Sequence, residues 1–496
     1  MEIKIKNGKV FICSLLILTS LVGCKYKIDK NTHYVDTQTT SFIEQDISEL
    51  TPTPTSIPTL TAHQNTPYEF NLEDYGGFVI DGMPVNLYNS AKIKEWETVD
   101  VLGIPQPTDI NLKSSYTFNE LEEIMIELSK YDGVKLQVIG RSVEGRNLYN
   151  LVIDFPSNKE KKTIMLAGQV HACEFAGSVY ILKQYAELLE KAQNDPYIKL
   201  LLENVRFVSM PVVNPDGREI IINGGSSIKK SNANGVDINR NFPATNAGQL
   251  KRNIELSTRI SSKPSNAFYP GPYLGSEPET QAMMKWLNKY VPTASLYYDY
   301  HQQGGGFYYG KPWNPIEREQ KKEIIAQFLF EFMNEGISPN EHYRRFNDSI
   351  NYGFEGIGSS TTDYATDIAN GLVFSEQYGR MVLEVNGSEL PLLVYKSIEN
   401  FKEYYKPINT EFVTITFEIA KGSDALGNGL EARKKMYEEY RKFKYDKLLI
   451  FSSEIILGDK KINEIKEYVA MDLKSNNDKE LRVSYYNKLK VKVLQK

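Results

Sequence analysis

This chain of 496 residues has little histidine and less cysteine: His33, His63, His171, His301 and His342, with Cys13, Cys24 and Cys173. So few thiols exclude a disulfide-stapled scaffold, and the fold must be held by packing. No block of Lys or Arg stands out and the net charge is -5, which gives nucleic-acid binding no support. No apolar run is long enough to cross a bilayer, the N-terminal stretch Val10–Leu21 included. The 41% of hydrophobic residues is ordinary for a globular chain, here long enough for one large domain with extensions or for two domains.

The N-terminus reads as an export signal. Lys4, Lys6 and Lys9 precede Val10–Leu21, which is too short to span a membrane and ends in Leu21-Val22-Gly23-Cys24. That ending resembles the bacterial lipoprotein box, whose cysteine is lipidated after cleavage in front of it. A plain secretory signal and a short membrane anchor are the competing readings. On the first, residues 1–24 are a signal peptide, Cys24 carries lipid, Cys13 is lost, and the mature chain lies outside the cytoplasm, anchored to the cell membrane. Residues 25–68 are rich in Thr, Ser and Pro, centred on Thr51-Pro-Thr-Pro-Thr-Ser-Ile-Pro-Thr59. They cannot bury enough apolar surface to offset their ordering entropy, and read as a disordered tether.

Residues 69–113 read as a leader that packs on the main domain. Thr117 and Glu120 then form a capping box, opening a helix with Leu121, Ile124, Met125 and Leu128 on one face and Gly133 at its end. Strands are expected at Val134–Ile139, Leu148–Phe155, Thr163–Ala167, Val205–Val213, Ser295–Tyr300 and Met381–Val385, with a helix at Ala176–Lys191. Strands alternating with helices predict an α/β domain over 114–408: a mixed, mostly parallel sheet flanked by helices, closed by a helix at Pro391–Tyr405. Val413, Ile415, Phe417 and Ile419 alternate as in a strand. Residues 409–496 nevertheless carry no motif and read as a small C-terminal accessory extension.

The chemistry concentrates in Gly168-Gln-Val-His-Ala-Cys-Glu-Phe-Ala-Gly177. His171 and Glu174, three apart after the apolar run Ile164–Ala167, can reach one metal ion. His33 and His63 fall in the tether, so a third ligand is His301 or His342. Two imidazoles and one carboxylate with an open fourth position form a catalytic zinc arrangement. Taken alone, a His-x-x-Glu pair is a weak signal, and buried, hydrogen-bonded histidines would account for it.

Five further motifs change that weight: Ile139-Gly-Arg-Ser-Val-Glu-Gly-Arg146, Val213-Asn-Pro-Asp-Gly217, Gly235-Val-Asp-Ile-Asn-Arg-Asn-Phe-Pro243, Tyr300-His301 and Leu383-Glu384-Val385. In this order, and with His171-Ala-Cys-Glu174, they resemble the zinc carboxypeptidases related to pancreatic carboxypeptidase, the M14 metallopeptidase family, from about Tyr116 to Tyr405. The resemblance implies one zinc ion per chain, held by His171, Glu174 and His301, and leaves His342 as a surface residue. It implies Glu384 as the general base, which its apolar flanks would place on a buried strand. It implies that Asn239 and Arg240 grip the substrate's terminal carboxylate, a task that suits a guanidinium fork. The resemblance also places Thr362 and Asp363 against the substrate; Thr362 helps shape the side-chain pocket, and its small neutral side chain argues against a pocket dedicated to Lys or Arg.

Three positions depart from the family pattern. The electrophilic arginine falls near Lys229-Lys230, so Lys230 takes that role with a point charge and no planar fork. The mobile tyrosine is expected several residues before Ser359-Ser-Thr-Thr-Asp-Tyr364, where strict counting lands near Glu355, and nearby Tyr352 is a candidate. The residue after His171-Ala172, often Arg, is Cys173, which reads as a packed thiol. The implied function is zinc-dependent hydrolysis of C-terminal residues from peptides outside the cell. The alternatives are a hydrolase of peptidoglycan stem peptides on the same fold and a non-catalytic solute-binding lipoprotein, which would need no such ligand set.

Overall fold

The computed structural model describes residues 96–106, 110, 112, 116–245, 261–309, 316–346, 359–375, 380–385, 387–390, 407–421 and 430–476. The chain divides into Met1–Thr66 and Pro67–Lys496, and every described residue belongs to the second unit. The signal peptide, Cys24, the tether, Tyr352 and the helix expected at 391–405 all lie outside the described residues.

Helix α1 (Phe118–Leu128) begins as the capping box dictates: the Thr117 hydroxyl accepts from the Glu120 N–H while the Glu120 carboxylate accepts from the Thr117 N–H. It ends at the C-cap Ser129, before Gly133, whose φ of 77° instead turns the chain into the first long strand. The leader is represented by Ile110 and Leu112, both buried, and by strand β1 (Glu97–Thr98).

Among the described residues nine strands form the main sheet, in the order β1-β2-β3-β5-β4-β6-β12-β7-β8. They are β2 (Val134–Arg141), β3 (Asn147–Ile153), β4 (Lys162–Gly168), β5 (Val205–Met210), β6 (Leu296–Gln303), β7 (Gly306–Tyr308), β8 (Arg344–Phe346) and β12 (Val413–Lys421). The central strands β5, β4, β6 and β12 are mutually parallel, and β1, β2 and β3 continue antiparallel on one side. On the other side β7 runs antiparallel to β12 and parallel to β8. A separate three-stranded sheet holds β9 (Val373–Ser375), β10 (Arg380–Val385) and β11 (Ser388–Leu390).

Parallel strands need helices on both faces, so their side chains are buried on both. In β4, Ile164 and Leu166 join one apolar cluster with Val179, Leu182 and Ala186 of α2 (Ala176–Asn194). Met165 and Ala167 point the other way, into a cluster with Met283, Trp286 and Leu287 of a later helix, Pro278–Tyr290. The C-terminal part corrects the expected domain boundary. The described residues of 409–496 are no accessory extension, because β12 lies between β6 and β7 in the interior of the sheet. Val413, Ile415, Phe417 and Ile419 are all buried in the first cluster, alongside Tyr440, Tyr445, Leu448 and Phe451 from the two helices that follow, Leu430–Lys442 and Tyr445–Asn476.

Candidate metal centre

The site lies at the carboxyl ends of the parallel strands, where open α/β sheets place their ligands. His171 and Glu174 come from the loop between β4 and α2, while His301 lies inside β6 rather than just after it. All three are buried and bring one ligand atom each to within 4.8 Å of one another. His171 Nδ1 is 2.8 Å from Glu174 Oε1, His301 Nδ1 is 2.8 Å from Glu174 Oε2, and the two Nδ1 atoms are 3.2 Å apart. Tetrahedral coordination at zinc–nitrogen distances of about 2.0–2.1 Å separates ligand atoms by about 3.3 Å. The donor set, two imidazoles and a carboxylate, therefore suits zinc in its chemistry, and the ligand atoms lie close enough together to meet one ion.

Each imidazole has an acidic residue behind it. His171 Nε2 faces Asp237 Oδ1 at 3.3 Å, and His301 Nε2 faces Asp299 Oδ2 at 3.2 Å. A carboxylate there favours the tautomer that leaves Nδ1 free for a metal. Burial pushes the Asp237 carboxyl up, but His171, Arg240 and Lys230 together more than offset it and hold Asp237 ionised well below the ordinary range. Burial likewise works against charge on Glu174, and His171, Lys230 and His301 together hold it far below its usual value.

Lys230 reaches this centre. Its carbonyl accepts from the Ala172 N–H at 3.1 Å, fixing its loop to the ligand loop, and its Nζ donates to Glu174 Oε1 at 2.8 Å. Burial disfavours its charge, but Glu174 outweighs that and keeps the ammonium protonated. Asn239 turns its side chain to the same place: Nδ2 is 3.5 Å from His301 Nε2, and Oδ1 accepts from the Thr361 N–H at 3.0 Å. Arg240 is half-buried, with Nη1 donating to the Asn239 carbonyl at 2.5 Å and Nε buried without a hydrogen-bond partner among the described residues. Cys173 is buried, and its thiol is pushed up to about 12, chiefly by burial, as a packed thiol should be.

Two sequence expectations need correction. Glu384 is exposed, not buried, and sits on β10 in the separate sheet opposite Glu389. The acid beside the centre is Glu418 on β12, paired in register with His301 on β6, so the two side chains leave the same face of neighbouring parallel strands. Burial, then repulsion from Glu174, pushes its carboxyl up to about 7. The family pattern puts Asp363 against substrate, but its carboxylate accepts from the N–H and hydroxyl of Ser360, capping the helix Thr361–Ala369 that also carries Thr362. His342 is half-buried, with Nε2 at 3.0 Å from the Ile337 carbonyl, away from the cluster.

Two motifs prove to be braces. Buried Asp216 of Asn214-Pro-Asp-Gly217 accepts from the Ser142 hydroxyl, the Glu144 N–H and Arg146 Nη1, pinning the turn between β2 and β3. Asn241 accepts from the Glu277 N–H and donates to the carbonyls of Pro270 and Tyr273, tying the Asn239-Arg240 loop to the start of the helix Pro278–Tyr290.

A family model described as zinc carboxypeptidase matches residues 121–388, more than half of the chain. The chain is 30% identical over 207 residues to carboxypeptidase Z of Mus musculus, covering 39% of this chain and 30% of that protein. It is 32% identical over 171 residues to the carboxypeptidase N catalytic chain of Homo sapiens, covering 32% of this chain and 36% of that one. This chain therefore spans only about a third of the length of these curated relatives. Among solved structures, that of thrombin activatable fibrinolysis inhibitor is similar at 18% identity with a TM-score of 0.49, covering 70% of this chain and 77% of that one.

Proposed function

The chain belongs to the zinc carboxypeptidase family, and from that premise we propose that it is a metallocarboxypeptidase removing C-terminal residues from peptides outside the cell, with Glu418 as general base in place of Glu384. The observation that carries this is the convergence of His171, Glu174 and His301 with Glu418 one strand away. A zinc ion held by the three ligands supplies a Lewis acid that polarises the scissile carbonyl and acidifies water.

The chain's own groups do the rest. Glu418 takes the proton of the attacking water on a carboxylate oxygen and passes it to the departing amine. Since the base must start deprotonated, activity falls as pH drops through its titration. Lys230 offers a positive charge to the oxygen that becomes negative on attack. Arg240, half-buried beside Asn239, offers its guanidinium to the free carboxylate of the peptide end. Export and anchoring through Cys24 belong to the same proposal and rest on the sequence around it.

The test is to incubate the purified protein with a mixed peptide library, with and without chelator, and map cleaved ends by mass spectrometry. Loss of single C-terminal residues that chelator abolishes is the expected result. Cuts inside chains, or in stem peptides alone, would favour a cell-wall hydrolase, and no cleavage would leave a metal-binding lipoprotein.

A further inference from the structure

Behind His301 lies a chain of contacts that ends on a helix with no metal ligand of its own. Asp299 shares the His301 face of β6, two residues back, and is buried. Its Oδ2 faces His301 Nε2 at 3.2 Å and accepts a hydrogen bond from the Thr361 hydroxyl, while Oδ1 has no partner among the described residues. Thr361 is fully buried as the first residue of the helix Thr361–Ala369, and its N–H donates to Asn239 Oδ1 at 3.0 Å. Asn239 Nδ2 in turn lies 3.5 Å from His301 Nε2, packed against the same ring nitrogen. One carboxylate oxygen thus receives both a metal-ligand histidine and the first turn of a helix.

We propose that Asp299 and Thr361 are positioning residues: together they set the tautomer and orientation of His301, so that the affinity of the metal centre depends on where the first turn of this helix sits. A single Asp oxygen facing an imidazole can swing about its side-chain torsions. The Thr361 hydroxyl removes that freedom, and the Ser360–Asp363 capping box holds Thr361 in place. The next residue of the helix is Thr362, which the family resemblance puts at the side-chain pocket. The latch therefore links the metal ligand to the element that would meet the substrate's last side chain. This inference rests on the metal assignment proposed above.

The experiment measures zinc affinity of the full-length protein by competition with a chromophoric chelator, and the visible spectrum of the cobalt-substituted form. The variants are Asp299→Asn, Thr361→Val, Thr361→Ser and His301→Ala, and melting of each metal-free protein is followed in parallel. Loss of a partner behind a metal-bound histidine typically weakens binding about 10–100-fold. Asp299→Asn should fall in that range. Thr361→Val should weaken zinc by several-fold and shift the cobalt spectrum, and Thr361→Ser, which keeps the hydroxyl, should restore both. A merely structural role would lower metal-free melting without moving affinity or spectrum, and that outcome would overturn the inference. So would parental affinity in both Asp299→Asn and Thr361→Val while His301→Ala binds weakly. Undiminished zinc in His301→Ala would instead overturn the metal assignment beneath it.

Discussion

Arg240 stands half-buried, its planar group 5.9 Å from the Phe268 ring centroid and one of its N–H groups without a protein acceptor among the described residues. A guanidinium held this way suits a carboxylate in two parallel hydrogen bonds. Arg240→Ala should lower kcat/KM on free-acid peptides by about 10²-fold, at about 1.4 kcal/mol per tenfold. It should affect C-terminally amidated peptides far less. Equal loss on a matched acid and amide pair would remove Arg240 from carboxylate recognition. Glu279 is a different kind of residue. Fully buried, it accepts from the Val143 N–H and from Asn232 Nδ2, which also donates to Glu277. Burial, then the neighbouring Glu277, pushes its carboxyl up to about 8. A group whose folded pKa is raised binds its proton more tightly in the folded state. Its contribution is therefore fully present below the unfolded value and lost as pH climbs through about 8. Urea stability should decline across that window by up to about 1.4 kcal/mol per pH unit. Glu279→Gln should flatten the slope, and an unchanged slope would assign it to other groups.

Between strands, the important approach is that of β12 to the end of β6. Gly304 lies just beyond β6, and a Cβ there would collide with Cβ of Glu418. Only glycine lets the acid pass. Gly304→Ala should therefore retain zinc while losing about 10²-fold in turnover, the scale expected for a misplacement near 1 Å. Full turnover in that variant would show that Glu418 is not held by this contact. The same pair of strands explains what the sequence could and could not tell. His171 and Glu174 were legible because both come from one short loop after a strongly apolar strand. His301 was legible from the ordered motifs. Glu418 was not, because its partner is distant in the chain and one acid in a strand has no local signature. A signal was there nonetheless: Val413, Ile415, Phe417 and Ile419 mark one face as buried, and the other face carries Thr414, Thr416 and an acid. Glu384 misled for the converse reason. Neighbours at i-1 and i+1 lie on the opposite face of a strand, so apolar flanks say little about the residue between them.

Over the whole molecule, the principal apolar cluster draws described residues from Ile110 and Leu112 through Ile465, and so joins the leader to the C-terminal helices. Tyr445 hydrogen-bonds Tyr343, Tyr298 pairs with Ser452, and Tyr197 donates to Glu454, so the last helix is tied to the sheet and to the helices beside it. Deleting 409–496 would remove a central strand with these contacts. It should give a chain without cooperative unfolding or zinc retention. A folded, zinc-retaining product of the shorter chain, ending at 408, would restore the accessory view of the C-terminal part. The central claim, a zinc centre served by Glu418, is tested most directly by turnover of a free-acid peptide in Glu418→Gln and Glu384→Gln at equal zinc content. Loss of about 10²-fold or more in Glu418→Gln, with near-parental turnover in Glu384→Gln, is the expected result. Near-parental turnover in Glu418→Gln would contradict it.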